Sequence, residues 1–325
     1  MNVLIVTHSR DNRAVDDVAD AVSDRGGRTV RLNTDLYPLQ VRISTVQDGP
    51  SVHREFFDEH GGRHDLEAFD AVYYRRCATG ASLPEKLGAT REACVEESAL
   101  TLYGAIAATD CFQMDPLAAV RAADHKEVQL RRAVECGLDV PLTLISNDPR
   151  AVRSFYDRCN RRMVAKVQSH FAVCRDAQEL VVFTNTFRDS DLASLENLRY
   201  APMVFQETVE KAVEVRAVVV GDEVFAAAID PNRSERTTVD WRRDGAAVAR
   251  DWMPYDLPDP VRRGLLNLVA RFGLRYGAAD FIVTPDGRHV FLEVNACGEW
   301  YWLQLSPGLP IADAIARVLL GVATR

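Results

Sequence analysis

Residues 276–302, YGAADFIVTPDGRHVFLEVNACGEWYW, constrain this chain more than any other stretch. Two apolar runs, GAADFIV and HVFLEVN, flank Pro285, Asp286 and Gly287. That spacing predicts two strands and a tight turn, in which Pro presets one dihedral and Gly accepts the unusual one. Asp280 falls on the first strand, Glu293 and Asn295 on the second. Residues two apart on a strand share a face, so Glu293 and Asn295 can point at one object, and the hairpin can bring Asp280 beside them. Three oxygen-bearing side chains on one point suit a hard cation held next to phosphates, because Mg²⁺ takes only one or two carboxylates plus substrate oxygens. Acids flanking a turn are also often merely solvated, and the rest of the chain has to decide between the two.

With 325 residues, 47% hydrophobic and 26% charged, the chain can bury a sizeable core spread over two or three subdomains. A net charge of -8 and a pI near 5.5 argue against a nonspecific nucleic-acid binder, which carries a basic domain or stripe. The seven cysteines are scattered, odd in number and without a CxxC pair. They read as reduced intracellular thiols rather than a disulfide framework or zinc site. The start, MNVLIVTHSR, lacks a basic region followed by a long apolar run, and no stretch reaches spanning length. The expectation is a cytoplasmic protein with neither nucleic acid nor membrane as partner.

In chain order, residues 2–7 form an apolar run, residues 13–25 have helical spacing, Gly26 and Gly27 stop that helix, and residues 29–32 start another strand. This β-α-β opening predicts a parallel sheet with crossover helices. It lacks G-x-G-x-x-G or a Walker lysine, so the nucleotide site belongs elsewhere. Residues 41–57 are compatible with a hairpin, 69–74 form a strand running into Arg75 and Arg76, and 83–108 are helical. A break at 110–116 closes the first subdomain, with Pro116 at a first helical position.

Lys126 opens the next amphipathic helix, and Lys166 lies midway along the apolar run MVAKV. Charged residues are seldom buried without a partner, and two lysines so placed could hold a polyphosphate. MVFQE (203–207) is a strand, and KAVEVRAVVV (211–220) alternates so that Glu214 and Arg216 share a face before a Gly221-Asp222 turn. Arg216 reads either as a guard on an edge strand or as a phosphate-directed arginine. Residues 237–252 form a charged, irregular segment that could serve as a lid; 260–272 and 310–322 read as helices with core stripes.

The ordered set Lys126, Lys166, Gln206, Glu207, Glu214, Arg216, Asp280, Glu293 and Asn295 resembles the ATP-grasp superfamily. More narrowly, KAVEVRAVVVGDEVFAAAID and DFIVTPDGRHVFLEVNACGEWYW look like the graspetide synthetases, the microviridin-type MvdC/MvdD ligases that macrocyclise ribosomal precursor peptides. The resemblance implies an ATP-grasp fold of α/β and α+β parts: an N-terminal parallel-sheet (pre-ATP-grasp) domain at 1–115, a central subdomain at 116–202 and a C-terminal subdomain with the Mg site at 203–325. It implies ATP and Mg²⁺, with Lys126 and Lys166 on the phosphates and the main chain from Gln206 through Glu207 to Val209 on adenine. Glu214 falls to the ribose, Arg216 to the transferred phosphoryl group, and Asp280, Glu293 and Asn295 to the metal. The implied partner is a precursor peptide with a leader and a core rich in Thr/Ser and Asp/Glu, and the implied assembly a homodimer. Candidate peptide-docking residues are Arg75, Arg76, Arg242, Arg243 and the aromatics Trp300, Tyr301 and Trp302, for which plain core packing is the competing reading. Ala296, Cys297 and Glu299 depart from the family pattern on the acceptor side. The alternatives are an ATP-grasp ligase of a small carboxylate and an amine, and a non-catalytic ATP-binding module.

Overall fold

Alternation within Asn2–Thr7 sorts the N-terminal core into two layers. In the computed structural model, which describes residues 1–168, 172–175, 178–181, 184–230 and 251–321, Val3 and Ile5 face helix Ala14–Asp24, whereas Leu4 and Val6 face helix Arg91–Ala107. The strand is the centre of a four-stranded parallel sheet ordered Arg28–Asn33, Asn2–Thr7, Ala71–Tyr74, Phe112–Met114. Coverage on both faces explains why these strands read as continuous apolar runs. The hairpin expected at 41–57 forms from Arg42–Asp48 and Ser51–Phe57, and Arg63–Asp65 adds a third strand.

Two larger antiparallel sheets follow, besides a two-stranded pair of Ala172–Arg175 and Gln178–Val181. One is ordered Asn185–Phe187, Met163–Lys166, Met203–Glu207, Thr143–Ser146, and its core is closed by helix Pro149–Arg158 and the turns of Asp189–Tyr200. Met203–Glu207 is hydrogen-bonded on both sides within this sheet, so a division at 202/203 cuts through it. The link between Glu207 and Val213 leads from this sheet to the next. Helices Leu117–Ala123 and Lys126–Glu135 also pack away from this sheet, against the C-terminal one.

The C-terminal sheet is ordered Met253–Pro254, Glu223–Ile229, Val213–Val220, Tyr276–Val283, His289–Asn295. Odd-numbered Val215, Ala217 and Val219 face helix Asp259–Arg271, while Val218 and Val220 join Val3, Ile5 and helix Ile311–Leu319 in one core. Arg216 therefore lies on the face turned toward the N-terminal domain. Among the described residues no helix is long and apolar enough to cross a membrane. The lid segment expected at 237–252 lies outside the described residues up to 250, as do Arg242 and Arg243.

Candidate active site

The hairpin assembles its acids by register. Arg216 sits directly opposite Asp280, Asp280 opposite Glu293, and Ala278 opposite Asn295, and directly opposed residues share a face. A bulge helps: after Asp280–Glu293 the next pair is Phe281–Phe291, which leaves Leu292 unpaired. In a regular strand Phe291 and Glu293 would share a face. The extra residue flips the parity, so that Phe291 enters the core at 0% exposure while Glu293 stays with Asp280 and Asn295.

Each acid is met by a cation. Arg216, 5% exposed, donates from Nη1 to Asp280 Oδ1 at 2.8 Å. Its Nη2 donates to the main-chain oxygen of Glu299 at 2.9 Å, and its guanidinium lies 5.5 Å from the ring centre of Trp302. Its Nε is buried with no partner among the described residues. Lys126 Nζ donates to Glu293 Oε2 at 2.6 Å. The buried Gln129, one helical turn on, sets that contact: its amide donates to Val294 O at 2.9 Å and accepts from Val294 N at 3.0 Å, which docks the helix start on the edge strand. Asn295 Nδ2 reaches Glu293 Oε1 at 3.4 Å. Two carboxylates and an amide oxygen form an all-oxygen donor set, which fits a hard divalent cation.

The expected nucleotide-binding residues divide between two sheets. Glu214 is on the Arg216 strand, where its Oε1 accepts from Lys211 Nζ at 2.6 Å. Lys166, Gln206, Glu207 and Val209 belong to the other antiparallel sheet and its exit, with Lys166 opposite Val204. Gln206 donates to Thr143 Oγ1 at 3.1 Å, and the Glu207 carboxylate accepts from Leu142 N at 2.9 Å. The amides of Glu207 and Thr208 go to Leu142 O and Arg162 O. Both side chains thus brace the sheet.

Two docking expectations are corrected. Arg75, 1% exposed, is no surface residue; with Arg76 it grips Glu299, at 2.7 and 2.5 Å, and flanks the buried Asp11. Trp300, at 0% exposure, is core. No local pattern marked Asp11 as part of this region, because long-range packing alone brings it there. Burial pushes the Cys297 thiol up to about 12, so beside Asn295 it is neutral and not a nucleophile.

Residues 2–121 match the family described as the MvdD pre-ATP grasp domain. Three solved structures are similar over nearly the whole chain. The macrocyclase MdnC of Microcystis aeruginosa, bound with the precursor peptide MdnA, is 40% identical over 99% of this chain and 100% of its own, with TM-score 0.90. A RiPP-associated ATP-grasp ligase of Chryseobacterium gregarium, in complex with ADP and a leader and core peptide, is 35% identical over 100% and 98%, with TM-score 0.93. The macrocyclase MdnB of Microcystis aeruginosa is 34% identical over 98% and 99%, with TM-score 0.81. No curated protein sequence matches the chain.

Proposed function

Because the chain belongs to the RiPP-associated ATP-grasp ligases, which act on ribosomally made peptides, we propose that it closes rings in a precursor peptide. It is an ADP-forming ligase. In this reading it activates Asp or Glu side-chain carboxylates as acyl phosphates and joins them to Thr or Ser hydroxyls as esters, or to Lys amines as amides. The enzyme works in the cytoplasm, as a homodimer, on a peptide whose leader docks outside the site and whose core is rich in Thr/Ser and Asp/Glu.

One observation carries the residue assignment: on a single hairpin, Lys126 sits on Glu293 and Arg216 on Asp280. When nucleotide phosphates and a divalent cation enter together, the two cations and the two carboxylates can exchange partners with no buried charge left unpaired, the situation that makes broken buried pairs expensive. Lys126 and Lys166 then take the phosphates, Glu214 the ribose, and the strand exit from Gln206 through Glu207 to Val209 the adenine. Asp280, Glu293 and Asn295 would hold Mg²⁺, which when bound neutralises charge on the phosphate oxygens. A substrate carboxylate attacks the γ-phosphorus and ADP leaves; a hydroxyl or amine then attacks the acyl carbon, loses its proton and expels inorganic phosphate. Arg216 steadies charge on the transferred group, a contribution of roughly 3–4 kcal/mol for one well-placed donor. Positioning and electrostatics suffice for such a transfer, so no side-chain nucleophile is required.

Mass spectrometry of a precursor incubated with protein, ATP and Mg²⁺ tests this, since each bond removes one water. Arg216→Ala and Glu293→Gln should both lose the product while keeping the fold. Wild-type turnover by either variant overturns the residue roles. ADP release with free amino acids, and no mass loss on any peptide, points instead to a ligase of small carboxylates.

A further inference from the structure

The crevice at the carboxyl ends of parallel strands is where an α/β sheet ordinarily receives a ligand. Here Asn2–Thr7 leads to Asp11 and Asn12, and Ala71–Tyr74 runs into Arg75 and Arg76. A side chain from the opposite end of the sequence reaches these residues. The Oε2 atom of Glu299 accepts from Arg75 Nη2 at 2.7 Å, Arg76 Nη2 at 2.5 Å and Asn12 Nδ2 at 3.1 Å. Its Oε1 atom accepts from the amides of Trp300 and Tyr301 at 3.0 and 2.8 Å. Thr7 Oγ1 donates to Asp11 Oδ2 at 2.6 Å, and that buried carboxylate stands behind both arginines. Burial opposes charge on Glu299, but Arg75, the two amides and Arg76 outweigh it and bring its carboxyl down to about 2, so the clamp stays ionised at any working pH.

The backbone of the same residue holds Arg216. Nη2 of that arginine donates to Glu299 O at 2.9 Å. The preceding carbonyl, of Gly298, is fixed by Tyr276 Oη at 2.6 Å and Arg75 Nη1 at 3.4 Å. Arg216 has a second anchor in Asp280, and Asp280 is the partner that must turn to the metal in the proposed reaction. The Glu299 carbonyl is the anchor that can remain.

We propose that Glu299 is a positioning residue for Arg216: its clamped carboxylate fixes the carbonyl that aims the guanidinium, and the N-terminal domain thereby takes part in catalysis. This rests on Arg216 acting at the transferred phosphoryl group. A Glu299 that only joined domains, or capped helix Tyr301–Leu305, would affect stability and leave turnover per folded molecule intact.

The test is a double-mutant cycle on the full-length enzyme, read as kcat and as KM for ATP. Glu299→Ala should lower kcat roughly 100-fold, as expected when a catalytic group is displaced by about 1 Å, with KM for ATP little changed and Glu299→Gln falling in between. In an Arg216→Lys background, which keeps a cation and measurable turnover, Glu299→Ala should bring almost no further loss, because groups acting through one another are not additive. Should Glu299→Ala fail to fold, Arg76→Met loosens the same clamp and enters the same cycle. Multiplicative losses, or an unchanged kcat for Glu299→Ala, overturn the inference while leaving the ligase reading in place. Full turnover by Arg216→Lys alone, or no ATP-dependent product from wild type, removes the reading of Arg216 itself and this inference with it.

Discussion

Gly298→Ala is the sharpest single perturbation of the site. Gly298 is not among the glycines with positive φ, so its requirement is for space. A Cβ there would stand 2.6 Å from Ala278 Cβ, 3.0 Å from Arg216 Nη2 and 3.1 Å from Asn295 Cβ. Ala278 is fully buried in mid-sheet and Arg216 is held by Asp280, so neither gives way easily. Carbon atoms prefer about 3.5–4.0 Å, and the loop must therefore retreat by roughly 1 Å. That movement carries the Glu299 carbonyl off Arg216. Overpacking of this kind costs about 1–3 kcal/mol, and at about 2–4 °C per kcal/mol the melting temperature should fall by roughly 2–12 °C. Turnover should fall much further, on the order of 100-fold, because in the proposed reaction the displaced group is at the chemistry. ADP release and product mass, beside a thermal melt, separate the two effects. Gly104→Ala is the control: it lies in helix Arg91–Ala107 with no atom within 4 Å of the new Cβ, and should gain up to about 1 kcal/mol with unchanged turnover. Wild-type turnover in Gly298→Ala would refute the close-packing account of the site.

Three other outcomes are expected. Gln129→Leu removes both contacts to Val294 and the buried contact to Ala123 O; leaving such backbone groups unsatisfied should destabilise by about 1–3 kcal/mol, seen as a lower denaturant midpoint, and weaken nucleotide binding through Lys126. Lys126→Met removes the ammonium that donates to Glu293, so calorimetry should show weaker ATP binding in the absence of Mg²⁺, with Mg²⁺ recovering part of it; equal affinity to wild type would remove Lys126 from the phosphate site. Burial pushes the Asp115 carboxyl up to about 7, despite amides donated by Arg275 and Tyr276. Between its ordinary value of 3.8 and about 7 the folded chain keeps a proton that the unfolded chain has shed, so this group's contribution to stability falls as pH rises across that window. Asp115→Asn should flatten that part of the denaturation profile, and an unaltered slope would exclude the assignment.

What the sequence made legible follows from which interactions are local. The β-α-β opening, the 276–295 hairpin and the shared face of Glu293 and Asn295 rest on two-residue and helical periods that neighbours in the chain determine. The bulge at Leu292 was not legible, because HVFLEVN alternates well enough to hide an unpaired residue, and only the need to bury Phe291 beside Phe281 reveals it. Arg75 and Arg76 looked like surface charges for the same reason: the carboxylate that captures them is more than 200 residues away, at separations of 224 and 223. Glu207 and Gln206 were recognisable as a conspicuous polar pair at a strand end, but their hydrogen bonds to Leu142 and Thr143 depend on a sheet neighbour from another segment.

The joint core of the two ends of the chain also bears on how the protein is made. Val3, Ile5 and Ala71 pack in one cluster with Val218, Tyr276, Trp300 and Ile315, and helix Ile311–Leu319 lies against helix Ala14–Asp24. A ribosome that has finished the first parallel sheet has made helix Ala14–Asp24 but not the C-terminal elements that complete the cover of that face. At 5–20 residues per second, roughly 10–40 s of elongation separate the last strand of that sheet from the helix that seals it. Through that interval part of an apolar layer of the nascent domain lacks its packing partner, so the yield of native enzyme should respond to chaperone supply and to translation speed between those two points, even where the finished fold is stable.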